Sequence, residues 1–170
     1  MWMSRYLLMR CAEEQSLVIS FAPKLFADWN GSGCHTNFST LTMREGSKGM
    51  KYIEDMMFKF SAKHELHMEM YGEGNKARLT GHHETSSFQK FSYGTGNRAA
   101  SFRIPTQTRH DNGKGYIEDR RPASNIDPYL VGAIIADTGI LEDGESKATP
   151  MIEHFKSYSK WLSTTHIETA

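Results

Sequence analysis

The stretch from Trp29 to Ser39 combines glycines, a histidine and small polar side chains in a short run. Gly31 and Gly33 would let the backbone approach a ligand closely and adopt positive φ angles. His35 opens an alternating segment, and the side chains of such a segment point to opposite faces of a strand. Because a neutral imidazole can bind a divalent metal ion, this run predicts a loop and strand that touch a ligand.

Three downstream stretches place arginines and carboxylates in compact polar motifs. They are Arg78-Leu79-Thr80-Gly81-His82-His83-Glu84-Thr85-Ser86, then Asn97-Arg98 with Ser101-Phe102-Arg103-Ile104-Pro105, and Gly115-Tyr116-Ile117-Glu118-Asp119-Arg120-Arg121-Pro122-Ala123-Ser124-Asn125-Ile126-Asp127-Pro128. The forked guanidinium group suits bidentate contact with phosphate and carboxylate. Taken singly, Arg98, Arg103 and Arg120 are better interpreted as salt-bridge residues on a strand face, and only the motifs around them favour a binding role. Adjacent strand positions face opposite ways, so only one of Arg120 and Arg121 can face a site, and we predict Arg120.

These motifs, in this order and spacing, closely resemble eukaryotic-type glutamine synthetase over residues 1–141. The resemblance implies an α+β fold, the C-terminal part of that family's catalytic domain, with a curved antiparallel sheet backed by helices. It also implies that the family's N-terminal β-grasp domain and the first part of its catalytic domain are absent from this chain. The implied activity is ATP-dependent ligation of ammonia to L-glutamate through γ-glutamyl phosphate.

The resemblance implies a role for each motif residue. Arg98 and Arg103 would contact the ATP phosphates, and Arg120 would hold the γ-glutamyl phosphate. The residues implied to bind glutamate are Asp28, Trp29, Asn30, Gly31, Arg78, Arg98 and Arg120. Those implied to bind the nucleotide are Asn37, Phe38, Ser39, Arg98, Arg103, Tyr116, Ile117 and Glu118. The implied catalytic set is Glu84, Arg98, Arg103 and Arg120.

A metal site and a flap are implied as well. His35 and Glu118 would belong to a site for Mg²⁺ or Mn²⁺ whose other ligands lie, in the family, upstream of this chain. Two ligands rarely hold Mg²⁺ firmly, so the chain alone is predicted to be catalytically incomplete. Glu84 resembles the glutamate of the family's flap, which shields the acyl phosphate from water and deprotonates ammonium; the other interpretation is an exposed loop carboxylate.

Composition narrows the classes of partner. The 170 residues include 20 basic and 20 acidic side chains, with no basic run of the kind that nucleic-acid binding needs. No apolar run approaches the roughly 20 residues of a membrane-spanning helix. Two cysteines offer no disulfide framework and favour a reducing compartment, so the cytosol is the expected location. Family resemblance predicts a decamer of two pentameric rings with sites shared between subunits.

Hydrophobic periodicity and turn signals predict the elements. We expect a helix at 2–15, a buried strand within 16–23, strands at 34–40, 101–105 and 116–120, one long helix from a cap at Ser47 to Tyr71, and a helix at 128–141 capped by Asp127. The region from 78 to 97 is expected to be a mobile functional loop. Residues 142–170 show no resemblance to the family and are expected to form a divergent helical tail.

Some positions depart from the family pattern. Thr106 stands where arginine usually follows Ile-Pro, and Leu25 stands where the family has proline. Two alternatives to the active enzyme therefore stay open: a non-catalytic paralogue serving as an assembly subunit, and a ligase for another amine.

Overall fold

The computed structural model describes residues 1–82 and 85–141. Its helices are α1 (Trp2–Glu14), α2 (Leu41–Glu45), α3 (Gly49–Ala62), α4 (His64–Met70), α5 (Thr106–His110) and α6 (Pro128–Gly139), with a 3₁₀ turn at Asn75–Ala77. Its strands are β1 (Thr36–Phe38), β2 (Tyr93–Thr95), β3 (Phe102–Ile104) and β4 (Ile117–Asp119). The tail predicted at residues 142–170 lies outside the described residues.

The strands form a single four-stranded sheet in the order β1-β4-β3-β2. Strand β4 pairs antiparallel with both β1 and β3, whereas β2 runs parallel to β3. The α+β class is confirmed, but the prediction of an entirely antiparallel sheet is wrong for this edge pair. Alternation within a strand encodes which side chains face the core and carries no information about the direction of a neighbour.

The helices α3, α4 and α6 pack together to build the core. Helix α3 buries Ile53, Met57 and Phe60, which confirms the predicted apolar spacing of this segment. The aromatic rings of Phe60 and Phe102 lie 4.7 Å apart between their centroids and join the helices to the sheet. Burial of such large side chains removes apolar surface from water and is the main stabilising contribution here.

The long helix predicted between Ser47 and Tyr71 is wrong in two respects. It is split at Lys63, whose φ of −104° and ψ of 19° interrupt the helix between α3 and α4. The first of the two helices begins after Lys48, not after Ser47, and has no side-chain cap; its first residue, Gly49, has a φ of 64°. Helix α4 begins directly after this break and places His64 and His67 in the interior.

The buried strand predicted within residues 16–23 is also wrong. These residues belong to no strand, and the side chains of Leu17 and Val18 are 65% and 97% exposed. An apolar run becomes a buried strand only where another surface covers it, and the described residues provide no such cover.

Both terminal helices of the described chain follow the sequence prediction. Helix α1 buries only Ala12, and Arg5 attaches it by donating hydrogen bonds to the carbonyls of Ser124 and Ile126, at 2.6 and 2.9 Å. Helix α6 starts with the predicted cap, in which the Asp127 carboxylate accepts from the Tyr129 amide at 2.8 Å. Within the described ranges, no helix has the length and apolar character needed to cross a bilayer.

Candidate functional site: an arginine cluster on the sheet

The sheet presents a row of polar side chains on the face away from the core. Glu118 is paired in register with Asn37 of β1 and with Arg103 of β3. Because side chains alternate along a strand, Glu118 and its neighbour Asp119 point to opposite faces. Three elements that are distant in sequence thus meet at one carboxylate.

Glu118 lies among three basic side chains. Its Oε1 accepts a hydrogen bond from Arg120 Nη1 at 3.2 Å and lies 3.2 Å from His35 Nδ1. Its Oε2 lies 2.5 Å from Arg103 Nε, an ionic contact without hydrogen-bond geometry. The side chain of Glu118 is almost completely buried, and the surrounding guanidinium groups compensate the cost of burying its charge.

His35 is held neutral by its surroundings. Burial lowers its pKa, and the nearby charge of Arg120 lowers it further, whereas Glu118 opposes both effects. His35 Nδ1 lies 3.2 Å from Glu118 Oε1 and 3.4 Å from Arg120 Nη1, and the shorter contact, with the carboxylate, favours a proton on Nδ1 and leaves the lone pair on Nε2. An imidazole held in this way by a carboxylate has the orientation used by metal-binding histidines.

The described residues do not by themselves fit a resident divalent cation. Residues 1–82 and 85–141 contain no cluster of three or more His, Cys, Asp or Glu side chains. His35 and Glu118 come together as the sequence suggested, but both Glu118 oxygens already contact arginines. Since Mg²⁺ prefers six oxygen-rich ligands, this pair could supply only a minor part of a metal site.

Arg78 is a buried arginine that joins three segments. Its Nε donates to Asn75 Oδ1 at 3.0 Å, and its Nη2 donates to the carbonyls of Arg120, Arg121 and Pro122. Burial lowers its pKa to about 10, with a further contribution from the charge of Arg120. The group is still cationic at neutral pH, so the fold fixes a positive charge beside the sheet.

The glycines of the Trp29 to Ser39 run make room for Arg78. A Cβ atom on Gly31 would collide with Arg78 Cγ, and one on Gly33 would lie 2.6 Å from Arg78 Nη1. Neither glycine adopts the positive φ that the sequence suggested. Their close approach is thus to a protein side chain, which in turn borders a cavity of about 180 Å³ lined by Asn30, Gly31, Gly33, His35, Arg78, Thr85, Ser86 and Arg120.

The remaining predicted glutamate-binding residues lie at the rim of this cavity or outside it. Trp29 is 72% exposed, and Asp28 is exposed as well. Asn30 and Gly31 border both the arginine-lined cavity and a neighbouring one of about 440 Å³, which is lined by Ser20, Ala22, Pro23, Leu25, Phe26, Trp29, Asn30, Gly31 and Ser32. Glu84 lies outside the described residues.

The predicted nucleotide-binding residues divide between the two faces of the sheet. Asn37 and Tyr116 are exposed, and the Ser39 hydroxyl accepts from Arg44 at 3.1 Å. Phe38 packs on Phe60 and Phe102, and the Ile117 side chain is fully buried in the core. Only the main chain of Ile117 is therefore available to a ligand on the polar face.

Arg98 supports Arg120 through its main chain. The Arg98 carbonyl accepts a hydrogen bond from Arg120 Nε at 2.9 Å, and Arg98 itself is exposed. Together with the bond to Glu118, this contact fixes the orientation of the Arg120 guanidinium. The site therefore brings together His35, Arg78, Arg103, Glu118 and Arg120 and places Arg98 beside them.

Sequence reasoning missed a charged network on the core side of β4. Arg121 is fully buried and donates from Nε and Nη2 to the two oxygens of Asp119, at 2.9 and 2.7 Å. The Tyr71 hydroxyl donates to Asp119 at 2.7 Å. Rings surround the guanidinium, with 5.0 Å from Arg121 Cζ to the Phe102 ring centroid. The i, i+2 spacing of Asp119 and Arg121 on one strand was the signal that could have revealed this pair.

Two buried histidines extend the network with opposite tautomers. His64 Nδ1 accepts from Arg121 Nη1 at 3.0 Å, so its Nε2 carries the proton and donates to the Phe88 carbonyl at 3.0 Å. The Tyr71 hydroxyl donates its hydrogen to Asp119, so it accepts a hydrogen bond from His67 Nδ1. His67 Nε2 then carries the lone pair and accepts from the Thr138 hydroxyl. Burial and the charge of Arg121 lower the pKa of both histidines. His64 thereby links the core to the segment that follows Thr85.

Comparison with known proteins gives the family. No family model matches the chain. A glutamine synthetase of Agaricus bisporus is 55% identical over 143 residues, which cover 84% of this chain and 40% of that protein. That of Yarrowia lipolytica is 58% identical over 139 residues, 81% of this chain and 38% of the relative. A chloroplastic glutamine synthetase of Oryza sativa subsp. japonica is 51% identical over 141 residues, 82% of this chain and 32% of the relative.

The chain thus spans at most about two-fifths of the length of these curated relatives. Identity above one half over most of the chain confirms the resemblance carried by the four motifs. By this similarity, the chain belongs to the glutamine synthetase family and corresponds to a part of its eukaryotic members.

Proposed function

We propose that this chain contributes one wall of the active site of an ATP-dependent glutamate-ammonia ligase. The observation that carries the proposal is the convergence of Arg103 and Arg120 on the carboxylate of Glu118, with Arg78 bound to the main-chain carbonyl of Arg120 beside them. The reaction moves a phosphoryl group from ATP to the carboxylate of L-glutamate, which brings two anions together. Fixed cationic groups stabilise that approach and the charge that develops in the transition state.

Within this proposal the arginines have separate roles. Arg103 and Arg98 bind the ATP phosphates, and Arg120 holds the γ-glutamyl phosphate intermediate. The Arg98 carbonyl and Glu118 hold the Arg120 fork in place, which supports a positioned contact with phosphate. Arg78 binds the glutamate carboxylate, and its own anchoring to main-chain carbonyls restricts its motion. Asn30 and Gly31 border the arginine-lined cavity and, with Asp28 and Trp29 before them in the same loop, bind glutamate.

The cofactors in this proposal are ATP and Mg²⁺ or Mn²⁺. Such a cation would supply positive charge that neutralises the phosphates. His35 and Glu118 contribute to its site, and the remaining ligands come from outside the described residues. Asn37, Phe38, Ser39, Tyr116 and Ile117 border the nucleotide. Glu84 closes over the intermediate and accepts a proton from ammonium.

The substrates are L-glutamate, ammonia and ATP, and the assembly is a homo-oligomer of the decameric type with sites shared between subunits. The chain on its own is then inactive, because other parts of the assembly complete the site. The cytosol is the proposed location, and chloroplastic relatives at 51% identity show that the family also functions in a plastid.

A chimeric enzyme tests the proposal. Residues 1–141 of this chain would replace the matching segment of a complete glutamine synthetase such as that of Yarrowia lipolytica, and glutamine formation would be measured with ATP, glutamate and ammonia. The identity of 58% over the matched segment supports correct folding of the chimera. We expect ATP-dependent glutamine formation.

The control chimera carries Glu118→Gln, which removes the charge on which the arginines converge while keeping its shape. We expect this control to assemble normally and to lose most of the activity. A parent chimera that assembles at the normal size but makes no glutamine would contradict the proposal and favour the non-catalytic paralogue. Activity with another amine in preference to ammonia would favour the second alternative.

A further inference from the structure

The hydroxyl of Ser86 is a buried polar group without a hydrogen-bond partner among the described residues. Ser86 is 3% exposed, and its Oγ meets no donor or acceptor of residues 1–82 or 85–141. Most buried side-chain hydroxyls are paired, because an unpaired one loses its bonds to water without replacement. A buried orphan of this kind needs an explanation, such as a ligand that is bound when the protein works.

The location of Ser86 identifies what such a ligand would be. Ser86 lines the cavity of about 180 Å³ that Arg78, Arg120 and Asn30 also border. The two arginines make this cavity favourable for an anion, and a hydroxyl can donate one hydrogen bond to an anionic oxygen. The Ser86 hydroxyl and the two guanidinium groups therefore border the same cavity.

The main chain holds Ser86 in this position from both sides. The Gly81 amide donates to the Ser86 carbonyl at 3.2 Å, and the Phe88 amide donates to the Leu79 carbonyl at 3.0 Å. Farther along, the Phe88 carbonyl is bound by buried His64 at 3.0 Å. The hydroxyl therefore belongs to a fixed segment, and its missing partner does not result from a loose turn.

We propose that Ser86 is a ligand-binding residue whose hydroxyl donates a hydrogen bond to an oxygen of the anion held by Arg78 and Arg120. This inference rests on the proposed function and adds a residue that the sequence did not predict. The recognised group is a carboxylate or phosphate oxygen, since both accept such a bond.

The test compares Ser86→Ala with the neighbouring Ser87→Ala in the chimeric enzyme, because this chain alone supplies only one wall of the proposed site. Ser87 Oγ accepts from the amides of Gln89 and Lys90, at 3.2 and 3.3 Å, so Ser87 has a structural role and is the matched control. Binding of L-glutamate and of inorganic phosphate would be measured separately by calorimetric titration, and the urea midpoint would be measured without ligand.

We expect Ser86→Ala to weaken binding of one of the two probes about tenfold, the size of one lost hydrogen bond, while the urea midpoint stays equal or rises. The midpoint stays because no protein hydrogen bond is lost. Ser87→Ala should lower the midpoint and leave both affinities unchanged. The probe that loses affinity shows whether the recognised oxygen belongs to a carboxylate or to a phosphate.

Unchanged affinity of Ser86→Ala for both probes, with wild-type binding intact, would overturn this inference and leave the proposed function standing. A midpoint that falls as far as in Ser87→Ala would also overturn it, because the hydroxyl would then be structural. If the chimera without either substitution binds neither glutamate nor phosphate, the arginine-lined cavity is not an anion site, and the inference and the proposed function fail together.

Discussion

Two ion pairs of strand β4 point to opposite faces of the sheet and differ in how completely they are neutralised. On the core face, Arg121 and Asp119 are both fully buried and share two hydrogen bonds, with aromatic rings around them. On the other face, Glu118 is the carboxylate that Arg103 and Arg120 both contact, and Arg78 lies close by. One pair is complete in itself, and the other carries an excess of positive charge among the described residues.

This difference separates structural charge from charge available to a ligand. A buried pair whose hydrogen bonds are all made has no donor left for an additional anion. Removal of one of its two partners leaves an uncompensated charge in the interior. A cluster with more guanidinium groups than carboxylates retains favourable interactions for phosphate or carboxylate. Neighbouring residues of the same type therefore serve stability in one case and the proposed chemistry in the other.

The largest effect is expected from breaking the core pair. Asp119→Asn removes the charge that compensates Arg121 and should destabilise the fold by about 3–5 kcal/mol. Glu118→Gln, the matched change on the other face, should cost less, about 1–3 kcal/mol, because Arg103 and His35 are partly exposed and water screens the positive charge that remains. Urea unfolding of the two variants measures the contrast, and equal losses would show that the two pairs are energetically alike.

A comparable contrast is expected for activity. In the chimeric enzyme, Arg103→Lys keeps the charge but loses the fork, and should lower kcat about a hundredfold, equivalent to roughly 3 kcal/mol, with little loss of stability. Arg121→Lys should lower stability strongly and kcat little, because it breaks the two bonds to Asp119 in the core. A normal kcat with normal ATP dependence in Arg103→Lys would remove Arg103 from the phosphate site.

A smaller effect tests the connection between the two faces. His64→Leu leaves Arg121 Nη1 without its acceptor and frees the Phe88 carbonyl, which should cost about 1–3 kcal/mol. Hydrogen exchange at the Phe88 amide should then accelerate more than exchange in α3. The control is His67→Leu, whose partners are Tyr71 and Thr138, and it should accelerate exchange in α3 and at Phe88 together. If both variants accelerate exchange at the Phe88 amide and in α3 to the same extent, His64 does not specifically hold the segment that follows Thr85.

The smallest effect is expected from pH. Burial first, and Arg121 second, lower the pKa of His64 and His67, so the folded state binds fewer protons than the unfolded state does. Stability is then full above the ordinary histidine pKa of 6.5 and is lost as pH falls below it toward the lowered values. Urea midpoints at successive pH values measure the slope, which should be shallower in His67→Gln. A midpoint that rises with acidification would contradict this assignment.

Local rules predicted those parts of the fold that depend on neighbours in sequence. Apolar spacing located the core face of α3, and the Asp127 cap with Pro128 located the start of α6. Strand alternation predicted that Arg120 and Arg121, which follow β4 directly, point to opposite faces. The family followed from the order of four motifs, although the binding role of each site residue stays a prediction.

Tertiary structure decided what depends on partners far away in sequence. Leu17 and Val18 have the pattern of a buried strand, yet the described residues do not cover them. Gly31 and Gly33 leave space for the side chain of Arg78, and no local pattern could indicate that contact. His35 meets Glu118 across 83 positions of sequence. Periodicity and caps depend on backbone geometry that each segment carries with it, whereas burial, charge balance and an unpaired hydroxyl depend on which segments meet.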